Sequence, residues 1–252
     1  MPNDIEVHKA ALRQRVWSAL DAAGAVREPA RDSIPDFHGS HEAAELLAHL
    51  PAWRTASVVK AVPDTAQEPV RAIALREGRL VYMAVPRLAL PHPFFVLDPA
   101  ELPSPAEAAA NRRTAAAIAP TTDVGDMRPV DLIVLGSVAA DRSGARIGKG
   151  AGYSDLEYAL LAEAGLVGPG TVIATTVHQL QLVDSVPTTE HDVYVDLVVT
   201  PTEIITCPPR PRPAGILWDH LTEAKIASIP ALVDRQRPPV PEASRRPGRE
   251  SS

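Results

Sequence analysis

Short runs of branched aliphatic residues alternate with helical segments along most of this chain. The clearest run is Pro-Val-Asp-Leu-Ile-Val-Leu-Gly at 129–136, which has the composition of a fully buried strand. Further strands are predicted at 56–62, 80–85, 171–177, 193–200 and, as a short edge strand, 203–206. Helices are predicted at 4–23, 42–50, 69–77, 106–119, 154–164 and 219–228. This alternation is typical of an α/β fold, so we expect a mostly parallel sheet covered by helices.

The chain is predicted to form one domain over residues 1–235, because 252 residues suffice for a single hydrophobic core. Aromatic residues make up only 4%, so the core is expected to consist mainly of Ala, Leu, Val and Ile. Prolines recur through 86–105, which we expect to lack regular structure, and through the extended connector 207–213. Residues 236–252 are rich in Pro, Arg and Ser without an apolar period, which predicts a disordered tail.

Composition excludes several classes of function. The net charge of −6 argues against nucleic acid as the main partner, since phosphate neutralisation needs a basic face. Cys207 is the single cysteine, so neither an internal disulfide nor a cysteine-rich zinc site can form. No apolar run reaches the roughly 18 residues of a membrane span, and residues 1–15 lack the apolar core of a signal peptide. We therefore expect a cytoplasmic protein without a membrane partner.

The most informative segment is the glycine loop, Arg-Ile-Gly-Lys-Gly-Ala-Gly-Tyr-Ser-Asp at 146–155, predicted to lie directly after a buried strand and before a helix. Alternating glycines let several backbone N–H groups approach an anion, and the helix that follows adds the positive end of its dipole. The alternative is a plain crossover loop in which Ser154 and Glu157 form a capping box. The spacing alone leaves both interpretations open.

This loop resembles the signature of the 5-formyltetrahydrofolate cyclo-ligase family, which has an Arg, an apolar residue, three alternating glycines, two tyrosines and an aspartate. The strand at 130–135, the run at 186–200 and the first helix, through Lys9 and Arg13, also resemble the family. The methenyltetrahydrofolate synthetase domain-containing branch is more similar still. Its likeness lies in Ile-Pro-Asp-Phe-His-Gly at 34–39, Arg-Ile-Gly-Lys-Gly at 146–150, Asp-Leu-Glu-Tyr at 155–158 and Arg-Pro-Ala-Gly-Ile-Leu-Trp at 212–218.

The resemblance implies a three-layer α/β/α fold of the NagB/RpiA type and an enzyme that uses ATP and Mg²⁺. In such enzymes ATP phosphorylates the formyl oxygen of 5-formyltetrahydrofolate. N10 of the folate then attacks this intermediate, which gives 5,10-methenyltetrahydrofolate with loss of phosphate. It also implies a set of site residues: Arg146 as the catalytic cation; Lys9, Arg13, Gly148, Lys149, Gly150 and Gly152 with Arg146 for the nucleotide; Tyr153 for the substrate; Asp155 and Asp192 for magnesium.

Each of these residues also has a plain structural interpretation. Lys9 and Arg13 are four residues apart and lie on one helix face, which is ordinarily a solvated face. Asp155 also suits a helix N-terminus, and Asp192 suits the turn that enters a strand. His191 is expected to be a surface or capping residue and His178 a satisfied histidine at the edge of the core, since neither has metal-ligand spacing.

Two positions depart from the family pattern. Ala151 stands where the family has a second cation, and Ser154 stands where it has a second tyrosine. Losing a cation aimed at a phosphate costs about 1.5–3 kcal/mol unless Lys60, Arg142 or another residue compensates. The family's pterin-binding glutamate has no clear counterpart, Glu68 being the nearest candidate.

Three functions follow from these observations. The first is the cyclo-ligase reaction on a reduced folate or a close variant of it. The second is a different ATP-dependent reaction with a rebuilt acceptor pocket, motivated by Ala151 and Ser154. The third is a non-catalytic nucleotide-binding or regulatory protein. In each case the protein is expected to be a monomer or a homodimer.

Overall fold

The computed structural model describes residues 4–236. Its strands are β1 Val58–Ala61, β2 Leu80–Ala84, β3 Phe94–Leu97, β4 Thr121–Thr122, β5 Leu132–Leu135, β6 Ala139–Ala140, β7 Arg146–Ile147, β8 Val172–Thr176, β9 Leu197–Val199 and β10 Ile204–Thr206. Eight of them form one sheet with the order β10-β9-β8-β5-β1-β2-β3-β4, whereas β6 and β7 pair with each other. The neighbouring pairs from β9 to β2 are all parallel, and antiparallel pairs close both edges. The predicted mostly parallel sheet is confirmed.

Helices cover both faces of this sheet. They are α1 Asp4–Ala22, α2 Ser40–Ala48, α3 Pro51–Thr55, α4 Glu68–Arg76, α5 Ala106–Ala110, α6 Arg112–Ile118, α7 Tyr153–Glu163, α8 Glu223–Ala227 and α9 Pro230–Gln236. None of the helices described is long and apolar enough to span a membrane. The predicted tail at 236–252 lies, beyond residue 236, outside the described residues.

Two hydrophobic cores lie on opposite faces of the sheet. Leu132 and Val134 of β5 pack in one core with α1, α2 and α4, whereas Ile133 and Leu135 pack in the other with α7 and α9. Because side chains alternate along a strand and both faces are covered, the central strands are apolar throughout. The predicted three-layer α/β/α arrangement is therefore present.

The region 86–105 was wrongly predicted to lack regular structure. It contains β3, which pairs antiparallel with β2 and buries Phe94 and Leu97 completely. The prolines flank this strand without entering it, so every N–H that the ladder needs is available.

Three other predictions were wrong about where elements end or which element follows which. The helix at 106–119 is two helices, because Asn111 is extended and its side chain caps the second. The glycine loop does not follow β5 directly, because β6 lies between them and the first two residues of the loop form β7, which pairs with β6. The last helix, predicted at 219–228, is a single 3-10 turn at 218–220 followed by α8, whose N-cap is Thr222, and α9 was not predicted.

Candidate functional site

The glycine loop lies at the carboxyl-terminal edge of the parallel strands, where ligands bind in open α/β sheets. Asp64, which follows β1, and residues in the first half of α1 line the same cleft as the loop. The lining residues are Glu6, Lys9, Arg13, Ile34, Asp64, Arg146, Ile147, Gly148, Lys149, Gly150, Ala151, Gly152, Tyr153, Ser154, Asp155, His191 and Asp192. Every site residue expected from the sequence is therefore in one place.

The backbone of the loop takes conformations that favour glycine. Gly150 has φ +106° and Gly152 has φ +68°, and Gly152 is the N-cap of α7. The N–H groups of residues 148–152 donate to no acceptor within 4–236. The loop thus presents a run of unpaired amides just ahead of the positive end of the α7 dipole.

Arg146 lies behind the loop and is only 2% exposed. Its guanidinium donates to Asp155 Oδ1 at 3.0 Å, to the Gly136 carbonyl at 3.2 Å and to Ser137 Oγ at 3.3 Å. These bonds use one N–H of each nitrogen and leave two of the five for another acceptor. A Cβ at Gly148 would lie 2.9 Å from Arg146 Nη2, so the missing side chain lets the loop rest on the guanidinium.

Lys9 and Arg13 extend from α1 to the same cleft, so their interpretation as an ordinary solvated face is wrong. Lys9 is 3% exposed and donates to Asp192 Oδ2 at 2.6 Å. Arg13 Nε donates to the Gly148 carbonyl at 2.8 Å, and its guanidinium lies beside Gly150. Burial lowers the pKa of Arg13, partly offset by Glu6 and Asp192.

The two aspartates are held by neighbouring cations and amides. Asp155 Oδ1 accepts from Arg146 and from the Val193 N–H at 3.1 Å. Burial alone would raise the pKa of Asp192, but hydrogen bonds from Lys9 and Thr189 outweigh it and lower that pKa. Within residues 4–236, neither Oδ2 of Asp155 nor Oδ1 of Asp192 accepts a hydrogen bond.

These free oxygens fit magnesium better than a metal held by protein alone. No cluster of three His, Cys, Asp or Glu side chains arranged for a metal occurs in the described part of the chain. Magnesium usually takes one or two carboxylates and completes its shell with phosphate oxygens and water. Asp155 and Asp192 supply that number of carboxylates at the edge of the amide-lined loop.

Several other expectations are corrected by the contacts. Glu157 does not form a capping box with Ser154, because it is buried against Lys60. Lys60 therefore does not reach the cleft, and neither does Arg142, which pairs with Glu203 at 2.8 Å on the surface. Glu68 accepts from Asn111 at 3.0 Å and does not line the cleft either.

The two histidines have different surroundings. His178 caps a 3-10 turn by accepting from the Leu180 N–H at 3.1 Å, and burial lowers its pKa, as suits a satisfied histidine at the core edge. His191 lies at the rim of the cleft, and its Nδ1 is 3.0 Å from Nδ1 of His220.

The sequence patterns missed three residues of the site. Glu6 lies 3.3 Å from Lys9, one helical turn away. Asp64 follows β1 and accepts from Lys149 Nζ at 3.3 Å. A carboxylate just beyond a parallel strand is a signal that could have identified Asp64. Lys225 of α8 donates to the Ala151 carbonyl at 2.8 Å, a contact across 74 residues that no local pattern indicates.

A larger cavity of about 370 Å³ opens beside the glycine loop and shares Gly150, Ala151 and Gly152 with the cleft. We call it the α8 cavity. Its wall away from the loop is mostly apolar and comes from the segment before and within α8: Pro213, Gly215, Ile216, Leu217, His220, Leu221, Thr222 and Lys225. The cleft and this cavity together resemble a phosphate site with an acceptor pocket beside it.

The sequence model of the 5-formyltetrahydrofolate cyclo-ligase family matches residues 5–201. The methenyltetrahydrofolate synthase domain-containing protein of Mus musculus is 34% identical over 240 residues, which cover 90% of this chain and 62% of that protein. The chain thus spans less than two thirds of that relative's length. The mitochondrial 5-formyltetrahydrofolate cyclo-ligase of Arabidopsis thaliana is 37% identical over 86 residues, 32% of this chain and 31% of that protein. Since that relative is mitochondrial by name, a cytoplasmic location stays a prediction.

Among solved structures, the NMR structure of Aquifex aeolicus 5,10-methenyltetrahydrofolate synthetase aligns with a TM-score of 0.53 at 19% identity. The alignment covers 84% of this chain and 99% of the Aquifex chain. At this identity the likeness is one of fold.

Proposed function

The chain belongs to the 5-formyltetrahydrofolate cyclo-ligase family, and from that premise we propose that it is an ATP- and magnesium-dependent cyclo-ligase converting 5-formyltetrahydrofolate to 5,10-methenyltetrahydrofolate. The observation that carries the proposal is the run of unpaired amides at 148–152, which faces no acceptor within the described residues and is bordered by Arg13, Arg146 and Lys149. Phosphoryl transfer depends mainly on positioning and charge neutralisation, which such a loop supplies.

In this proposal the loop amides and the α7 N-terminus bind the triphosphate, and Lys149 and Arg13 add full charges beside it. Lys149 is 44% exposed on its side chain, so it can leave Asp64 for a phosphate with little reorganisation. Arg13 is anchored through Nε to the loop carbonyl of Gly148, which leaves its terminal nitrogens available. Both residues line the cleft beside the loop.

Arg146 would stabilise the charge on the transferred phosphoryl group by donating its two remaining N–H groups to it. Its bonds to Gly136, Ser137 and Asp155 fix the plane of the guanidinium before any ligand arrives. Such preorganisation stabilises developing charge without a cost for reorientation during the reaction.

Asp155 and Asp192 would hold Mg²⁺ through the oxygens that the protein leaves free. Magnesium bound there would neutralise phosphate charge. Lys9 keeps Asp192 ionised and aimed at the cleft through their 2.6 Å hydrogen bond. Asp192 thus stays ionised at any pH well above its lowered pKa.

A second candidate is an ATP-dependent reaction on a different acceptor. The observation in its favour is that Lys225 Nζ lies 3.3 Å from the centre of the Tyr153 ring. One face of the ring expected to contact a pterin is thereby covered by an ammonium group. Ser154 next to it offers no second aromatic ring. This candidate predicts magnesium-dependent ATP binding without affinity for reduced folates.

The test is an absorbance assay for methenyltetrahydrofolate with 5-formyltetrahydrofolate, ATP and Mg²⁺. We expect product that requires both ATP and Mg²⁺. Arg13→Gln should slow the reaction about ten-fold or more, since it removes a charged hydrogen-bonding group. Arg15→Gln is the matched control, because Arg15 is exposed on the same helix and lines no part of the cleft.

No product from the wild type, or an equal rate from Arg13→Gln, would count against the cyclo-ligase. Calorimetry then separates the remaining candidates. ATP binding without folate binding favours the second candidate. Binding of ATP with no turnover of any acceptor tested favours a nucleotide-binding protein.

A further inference from the structure

Lys225 contacts the glycine loop but has no carboxylate partner among residues 4–236. Its ammonium donates to the Ala151 carbonyl and lies over the Tyr153 ring. In contrast, Lys9, Arg146 and Lys149 each pair with an aspartate within the cleft. Lys225 therefore brings positive charge to the loop that no acidic side chain within hydrogen-bonding reach balances.

The Lys225 ammonium lies where the amide-lined loop borders the α8 cavity. Ala151 lines both the cleft and the cavity, and Lys225 lines the cavity. An ammonium has three donors, of which the Ala151 carbonyl takes one. The face of the Tyr153 ring engages a second, and the remaining N–H can meet an acceptor in a cavity walled by Leu156, Ile216 and Leu217.

Lys225 also lies beyond the segment that the family's sequence model matches. The family match ends at residue 201, whereas the wall of the cavity from residue 213 to residue 225 comes later. Thr222 fixes the start of α8 by accepting from the Lys225 N–H at 3.2 Å. Lys225 is thus positioned by α8, which follows the matched segment.

We propose that Lys225 is a ligand-binding residue of this site, whose ammonium receives an oxyanion of the small molecule in the α8 cavity. The inference rests on the proposed function and deepens it, because it assigns to this chain a cation that the loop itself lacks at Ala151. The oxyanion comes either from the nucleotide phosphates or from a carboxylate of the acceptor.

The experiment measures binding to the full chain by calorimetry with three probes in the presence of Mg²⁺: ATP, 5-formyltetrahydrofolate and inorganic pyrophosphate. Lys225→Met keeps the length of the side chain and removes the charge. We expect it to weaken at least one probe about ten- to hundred-fold, the range of a hydrogen bond to a charged group. Lys225→Arg should restore most of the affinity. Glu223→Gln, exposed on the same short helix, should leave all three unchanged.

The probes separate the sources and the hypotheses. Weakened ATP and pyrophosphate binding assigns the oxyanion to a phosphate, and weakened folate binding alone assigns it to a carboxylate. If the wild type turns over folate and Lys225→Met binds all probes as tightly, the Lys225 inference fails alone. If folate is neither bound nor turned over but pyrophosphate binding still depends on Lys225, the cyclo-ligase proposal fails alone. A wild type that binds no probe overturns both.

Discussion

Lys9 and Asp192 form a buried ion pair at 2.6 Å between residues 183 positions apart in the sequence. The pair fastens α1 to the turn that precedes β9, and both side chains line the cleft of the glycine loop. Lys9 is 3% and Asp192 10% exposed on its side chain, so water screens the pair little. The Lys9–Asp192 ion pair thus joins α1 to the segment before β9 and also holds the Asp192 carboxylate in the cleft.

Asp192→Asn should lower the free energy of unfolding at neutral pH by about 1–3 kcal/mol, the scale of a charged hydrogen bond. The pKa of Asp192 in the folded chain is lowered from its ordinary 3.8, so the unfolded chain takes up the proton first as the pH falls. The stabilisation is therefore complete above that value and is lost below it. Urea unfolding at several pH values should show that the difference in free energy of unfolding between wild type and Asp192→Asn disappears in acid. A difference that stays constant with pH would contradict this, and so would an equal difference for Asp219→Asn, a change at an exposed aspartate.

The buried pair of Lys60 and Glu157 should give strongly non-additive stabilities. Lys60 in β1 is fully buried and Glu157 in α7 nearly so. Burial raises the pKa of Glu157, with Lys60 opposing it. Removing one partner leaves a buried charge unpaired, so Lys60→Met or Glu157→Leu alone should cost about 3–5 kcal/mol. The double variant should recover most of this loss.

Urea unfolding of the four proteins in this cycle measures the coupling. A double variant whose loss equals the sum of the two single losses would show that the pair does not act as a unit.

The strands and helices were largely predictable because their periodicity is local. Residues 129–136 indicate a buried strand, and β5 lies within them. The pairing of Lys60 with Glu157 was not predictable, since it depends on which strand lies beneath α7. The strand β3 was missed because the prolines around it outweighed its own apolar run.

Within the site, the loop and its aspartates were predicted from a resemblance, whereas Lys225 and Asp64 reach the loop only through tertiary structure. A single sequence does not state which helix faces which loop. For the same reason the sequence suggested Lys60 and Arg142 as compensating cations, and both were wrong.

Gly150→Ala should disrupt the amide-lined loop with a modest loss of stability. The φ of +106° at Gly150 is strained for any residue with a Cβ, at a cost of about 1–3 kcal/mol. The loop can relieve this strain by shifting, but its N–H groups then no longer converge, so ATP should bind about ten-fold more weakly or worse. Calorimetry with ATP and Mg²⁺, together with urea unfolding, measures both effects. Gly170→Ala is the control, because its φ is not positive and an added Cβ meets nothing within 4 Å. Undiminished ATP binding by Gly150→Ala would show that the loop amides are not the phosphate site.

Asp155→Asn should raise the magnesium concentration needed for half-maximal ATP binding about ten-fold or more, because a neutral amide is a poorer ligand for a hard cation than a carboxylate. Asp155 is also the ion-pair partner of Arg146, which is only 2% exposed. Asp155→Asn weakens this buried pair, so we also expect a lower free energy of unfolding. Arg146→Met separates the two effects, since it breaks the same ion pair without touching a metal ligand. Both variants should unfold at lower urea concentration, and Asp155→Asn alone should shift the magnesium titration of ATP binding, measured by calorimetry. If the two variants shift that titration equally, Asp155 acts by supporting Arg146, and the magnesium assignment is lost.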